Sequence, residues 1–169
     1  MKLTALLTGL VILTGTIACA ESGSPANNQT QTAAPATTII PKTVTAADLQ
    51  KLKWIEGTWR GTGEVQPPFF ERYHFENGST LVMEELADES LNRVTRTTRY
   101  ELKDGQFGNG RAVATALDDT SVTFSPLIKD RNSFRWQSES KDLWKAILTL
   151  PATATAPAKE TVYRMERLN

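Results

Sequence analysis

From Trp59 to Leu168 the chain repeats one pattern: a short run rich in Val, Thr, Tyr, Phe and Trp, then a few residues of turn chemistry. The runs are Trp59–Val65, Phe70–Glu76, Thr80–Ala87, Asn92–Leu102, Arg111–Leu117, Ser121–Ile128, Ser133–Ser138, Leu143–Leu150 and Glu160–Leu168. Branched and aromatic side chains suit a pleated, half-buried surface. The breaks are Asn77-Gly78, Lys103-Asp104-Gly105, Asp118-Asp119, Lys129-Asp130-Arg131-Asn132 and Ser140-Lys141-Asp142, with a longer loop over Pro151–Lys159. Gly supplies positive φ there, and Asn or Asp supplies local hydrogen bonds. Short strands at this spacing, with no helices between them, predict an all-β domain built of meandering hairpins, a small antiparallel barrel or sandwich. No longer repeat is visible, which argues against a solenoid or propeller.

One helix is expected before the first strand. Thr45 can cap it and Asp48 falls in its first turn, where the helix dipole favours a carboxylate. Leu49, Leu52 and Trp54 or Ile55 follow at roughly helical spacing, and Gly57 marks the end.

The N-terminal residues read as a targeting segment. Lys2 is followed by an uncharged stretch to Ala18 that contains Leu6, Leu7, Leu10, Val11, Ile12 and Leu13. A basic end that stays cytosolic and an apolar stretch that enters the translocon make a signal peptide, here residues 1–18. The stretch is short for a spanning helix and lacks a basic stop-transfer flank. Thr16-Ile17-Ala18-Cys19 resembles a bacterial lipobox. That resemblance implies diacylation of Cys19, cleavage before it and a membrane anchor, and Ala20 resembles the outer-membrane sorting class facing the periplasm. The alternative is cleavage after Ala18-Cys19-Ala20, leaving a soluble periplasmic protein that begins at Glu21. Cys19 is the only cysteine, so it cannot close an internal disulfide.

Residues 19–42 are mostly Ser, Pro, Asn, Gln, Thr and Ala, with only Ile39 and Ile40 large and apolar. A segment this polar cannot offset its ordering entropy by burial, so a disordered linker or tether is expected. The barrel domain is then residues 43–169, a length that suits one core. The whole chain carries 19 basic and 19 acidic residues. With that balance, and no basic stripe, nucleic acid is not an expected partner.

The segment Leu52-Lys53-Trp54-Ile55-Glu56-Gly57-Thr58-Trp59-Arg60-Gly61 stands where the helix meets the first strand. Its Gly57-Thr58-Trp59 resembles the Gly-x-Trp opening of the lipocalin-like (calycin) barrels, and is most similar to the nitrobindin branch and related bacterial domains of unknown function. The resemblance implies that Trp59 closes the barrel floor and that a cation from a late strand, Arg164 or Arg167, packs across it. Nitrobindin-like proteins bind haem through a histidine near the C-terminus. The one histidine here is His74, early in the second strand, so haem is not carried over and no cofactor is expected.

The residue inventory excludes several chemistries. One histidine and one cysteine cannot make a usual zinc set. Asp118-Asp119 alone is no calcium loop. No phosphate loop, dinucleotide fingerprint or serine elbow is present, so no metal and no catalytic residue is assigned. Glu84 and Glu85 are adjacent on a strand and point to opposite faces, which reads as an edge or rim.

The second strand is more informative. Alternation puts Arg72, His74 and Glu76 on a polar, outward face, and Glu71, Tyr73 and Phe75 inward. Arg96 shares a face with Val94, Thr98, Tyr100 and Leu102, and becomes a candidate partner for Glu71, because a buried carboxylate is costly unless paired. Trp136 lies on a face with Phe134, as core or cavity wall. Trp144 alternates with Ala146, Leu148 and Leu150. The expected function is the binding of a small, mainly apolar ligand in a barrel cavity lined by Glu71, Tyr73, Arg96, Tyr100 and Trp136. The alternative is a solid-cored envelope module that docks a partner through its surface. A hydrolase or isomerase using Glu71 or His74 ranks below both, since nothing activates either residue. The sequence leaves oligomeric state open.

Overall fold

The computed structural model describes residues 39–128, 131–153 and 155–168. The targeting segment, Cys19 and the linker up to residue 38 lie outside the described residues. The chain joins the domain at Lys42, whose amide donates to Ala114 O at 2.9 Å, and Val44 is buried.

Thr45 caps helix α1 (Ala46–Leu49) through a reciprocal capping box. Its hydroxyl accepts from the Asp48 amide at 3.2 Å, while an Asp48 carboxylate oxygen accepts from the Thr45 amide at 3.0 Å. The helix tightens at once into a 3-10 segment, Gln50–Ile55, so only one turn of the expected helix is α. Leu49, Leu52 and Ile55 face inward and are fully buried. Gly57, at φ 127°, turns the chain from helix into strand, a conformation that L side chains rarely adopt.

Ten antiparallel strands follow, each paired with the next, and the last pairs with the first to close the barrel. They are β1 (Gly57–Thr62), β2 (Phe69–Asn77), β3 (Thr80–Leu86), β4 (Val94–Lys103), β5 (Gln106–Gly108), β6 (Ala112–Leu117), β7 (Ser121–Pro126), β8 (Ser133–Ser140), β9 (Leu143–Leu150) and β10 (Lys159–Leu168). This is an up-and-down, lipocalin-like barrel preceded by a short helix. Nine of the strands match the expected runs to within a few residues.

The exception is β5. The two loop residues joining it to β4, Asp104 and Gly105, both have positive φ (49° and 75°), as a type I′ hairpin turn requires. They set Lys103 opposite Gln106 and Glu101 opposite Gly108. Three residues carry too little alternation to read as a strand, but the Asp-Gly pair is the hairpin signal that marks it. The barrel wall is thinnest here, since β5 meets β6 only at Gly108 and Val113. On the same side, no strand pairs with β4 from Val94 to Tyr100 among the described residues.

The two ends of the barrel differ. The helical segment covers one end, where Trp59, Trp144, Leu81, Phe107, Val122 and Met165 are fully buried. Burial of this kind contributes about 1.5–3 kcal/mol for each large side chain. The Trp59 indole nitrogen donates to Ile55 O at 2.7 Å, fastening strand to helix, and Trp144 meets the Trp59 ring edge-on at 6.0 Å. Arg167 completes this end. Its guanidinium carbon lies 4.1 Å from the centroid of the Trp59 ring. It also donates to three main-chain carbonyls, Glu56 O at 2.7 Å, Lys141 O at 2.9 Å and Trp54 O at 3.2 Å.

Arg164 departs from expectation. It stands three residues earlier on β10, pairs with Glu166 at 3.0 Å and is largely exposed. An odd offset on a strand turns the side chain to the opposite face, so Arg164 cannot share the Trp59 position with Arg167.

Candidate functional site

The end away from the helix is open. A cavity of about 550 Å³ lies there between β2, β3 and β4 on one side and β8, β9 and β10 on the other. That volume falls in the range of small-molecule sites, roughly 300–1,000 Å³. Its wall is apolar where Phe69, Leu86, Phe134, Ala146 and Leu148 contribute. Its floor is aromatic. Trp136 packs edge-on against Tyr73 at 5.6 Å and Tyr100 at 5.0 Å, and all three are buried. These rings separate the cavity from the closed end.

The five residues singled out in the sequence, Glu71, Tyr73, Arg96, Tyr100 and Trp136, all line this one cavity. The alternation of β2 explains how Glu71 and Tyr73 arrive there. Tyr73 is buried, while His74, one residue on, is exposed on the outer face. His74 stands opposite Val82 on β3 and does not line the cavity.

The ion pairing differs from expectation. Arg96 does not reach Glu71; its guanidinium donates to the Glu85 carboxylate. Sheet geometry gives the reason. Glu85 on β3 and Arg96 on β4 are direct cross-strand partners, whereas Glu71 on β2 lies one strand further away. Each strand step is about 4.8 Å, so the adjacent carboxylate captures the guanidinium. Glu71 instead accepts a hydrogen bond from the Tyr73 hydroxyl at 2.7 Å.

Glu85 is the site residue that sequence reading missed. It stands opposite Glu71 across the β2–β3 ladder, and Glu71, Glu85 and Arg96 form one row across three strands. Its neighbour Glu84 faces outward and binds Arg72 at 3.2 Å. Alternation already separated Glu84 from Glu85. What it could not give is the partner across the ladder, which depends on register. Asn77 pairs with Thr80, and that register alone would oppose Glu71 to Leu86. A one-residue shift between Phe75 and Asn77 opposes Glu71 to Glu85 instead.

The cluster has distinct electrostatics. Burial pushes the Glu71 carboxyl up from 4.5 to about 7, against the lowering effect of the Tyr73 hydrogen bond. The Glu85 charge adds to the rise and Arg96 offsets part of it. Burial also pushes the Tyr73 hydroxyl well above its ordinary value, with the nearby Glu71 charge adding to the effect, so Tyr73 stays a hydrogen-bond donor. Glu71 is thus a carboxyl that changes charge near neutrality beside a fixed donor and a row of aromatic rings. Among the described residues, no three His, Cys, Asp or Glu side chains are grouped to hold a metal ion.

A second, larger recess of about 1,070 Å³ runs along β4, β5 and the start of β6. It shares Met83, Arg96 and Tyr100 with the cavity and is also lined by polar residues such as Arg99, Lys103 and Arg111 and by Ala112, Val113 and Leu127. It lies beside the unpaired edge of β4.

Neither a protein-family model nor a curated protein sequence matches this chain. Among solved structures it is similar to EF1p2_mFAP2b bound to DFHBI, at 11% identity and TM-score 0.36, over 70% of this chain and 97% of that one. It is also similar to a redesigned beta barrel, at 14% identity and TM-score 0.35, over 76% of this chain and 99% of the other.

Proposed function

We propose that this barrel binds a small, mainly apolar molecule with one polar group, held at the open end against Glu71, Tyr73 and Arg96. One observation carries the reading: a cavity of about 550 Å³ whose apolar and aromatic walls surround the polar cluster of Glu71, Tyr73, Glu85 and Arg96. Phe69, Leu86, Phe134, Ala146 and Leu148 form the wall against which the apolar body packs. No cofactor and no catalytic step are part of this reading. Native mass spectrometry of the protein purified from cell extract without denaturant tests it. A retained small molecule, displaced when Trp136 or Tyr100 is changed to Ala, supports the carrier reading. A retained molecule that survives both changes would place it elsewhere.

A second reading, an envelope module that docks a partner through its surface, is favoured by the unpaired edge of β4 from Val94 to Tyr100. A strand edge offers free amides and carbonyls to an incoming chain. Proline substitution at Thr97 would block such pairing and leave the cavity ligand unaffected.

The proposal includes location. The chain is exported and anchored through acylated Cys19, with the barrel facing the periplasm from the outer membrane. A signal-like N-terminus, the Thr16–Cys19 resemblance and a polar tether support this. Incorporation of a labelled fatty acid that is abolished by Cys19→Ala is the expected result; a mature chain beginning at Glu21 would favour the soluble form. Kinship with the nitrobindin branch rests on the Gly57–Trp59 opening and remains part of the same proposal.

A further inference from the structure

We propose that the polar group of the bound molecule is a cation, so that the cavity selects an amine or quaternary ammonium carried on an apolar body. This inference rests on the cavity-binding reading above. Two carboxylates, Glu71 and Glu85, face one guanidinium, Arg96, and among the described residues no other Lys, Arg or His lines the cavity. Arg96 is committed to Glu85. Glu71 is left with a neutral partner, the Tyr73 hydroxyl at 2.7 Å. The site is short of one positive charge.

A desolvated carboxylate without a counter-cation is unfavourable, and an opposite charge within about 4–6 Å reverses that. A ligand ammonium at this position supplies the missing charge. A ligand carboxylate would meet two like charges, with the one guanidinium already engaged. An alcohol would gain a hydrogen bond but no charge complement.

The aromatic floor points the same way. Trp136 packs against Tyr73 at 5.6 Å and Tyr100 at 5.0 Å, and the Tyr73 hydroxyl ties this group of rings to the Glu71 carboxylate. Aromatic faces attract cations, and several rings around one position form the usual surround for an ammonium group. A carboxylate and a cluster of rings together distinguish a cation site from a merely greasy pocket.

Affinity should depend on pH through Glu71. The groups facing it are Tyr73 on its own strand, Glu85 from β3, Arg96 and Tyr100 from β4, and Tyr163 from β10, which also lines the cavity. Below neutrality Glu71 is protonated and the charge complement is lost.

Octylamine, octanol and octanoate share a chain length and differ in head group. Calorimetric titration of the purified protein with each at about pH 8 tests the inference, since the amine is then cationic and the acid anionic. Octylamine is expected to bind at least roughly tenfold tighter than the other two, a difference of about 1.4 kcal/mol. It should also weaken as the pH is lowered to about 6. In Glu71→Gln the preference for the amine should vanish while octanol binding persists. If octanol or octanoate binds as tightly as octylamine to the native protein, the cation inference falls and the cavity reading stands. If none of the three binds, both fall. The native-protein series decides the matter even if the variant does not fold.

Discussion

The Tyr73 hydroxyl donates to a Glu71 carboxylate oxygen at 2.7 Å, joining two residues on the same inward face of β2. The bond favours ionised Glu71, yet burial outweighs it and the carboxyl sits at about 7. In the unfolded chain the group titrates near 4.5. Between these values the folded state holds the extra proton, so stability falls as pH rises through that window and is flat above it. For the empty barrel the loss should reach up to about 3 kcal/mol. Glu71→Gln should remove this slope and be the more stable protein at about pH 8. Urea midpoints measured across the window check both statements.

Arg167 joins three segments at the closed end, stacking on Trp59 and donating to carbonyls of Trp54, Glu56 and Lys141. Arg167→Ala removes charge-assisted bonds and leaves carbonyls at the end of the 3-10 segment without a donor. A cost of about 3 kcal/mol is expected. Arg167→Lys should recover less than half of it, since an ammonium cannot fork to several carbonyls while stacking on an indole. Arg164→Ala, by contrast, removes only an exposed pair with Glu166 and should change stability by less than about 0.5 kcal/mol. Equal effects of the two alanine variants in chemical denaturation would contradict the assignment of Arg167 as the closing cation.

Four tryptophans are present, and Trp136 is the one that lines the cavity. Trp59 and Trp144 are sealed at the closed end. A ligand entering the open end should therefore shift the emission of Trp136. The native protein should show a saturable change on titration with octylamine, and Trp136→Phe should lose most of it. A change that persists in the variant would locate the ligand elsewhere.

The capping box at Thr45 gives a smaller test. Thr45→Ala removes the hydroxyl that accepts from the Asp48 amide and should cost about 1 kcal/mol. Because the helical segment covers the closed end only, ligand affinity at the open end should be unaffected. Thermal melts with and without octylamine measure both.

Sequence by itself determined the class of the fold and the faces of its strands. Period-two alternation sends Tyr73 inward and His74 outward whatever the neighbouring strand is, because it is a property of one strand's own geometry. The same rule separates Glu84 from Glu85. Turn residues marked most of the strand ends for an equally local reason. The Asp104-Gly105 turn carried the signal for β5, although β5 itself is too short to show a period.

Tertiary structure decided which inward residues meet. Glu71 opposes Glu85 because one register shift near Asn77 slides β3 by a residue, and Arg96 joins Glu85 because β4 borders β3 and not β2. Barrel closure decided the rest. Only when β10 pairs with β1 does Arg167 come to stand across from Trp59. These are relations between segments far apart in the chain. A strand's own sequence does not contain the register and neighbour order that set them, because those follow from how all ten strands share one core.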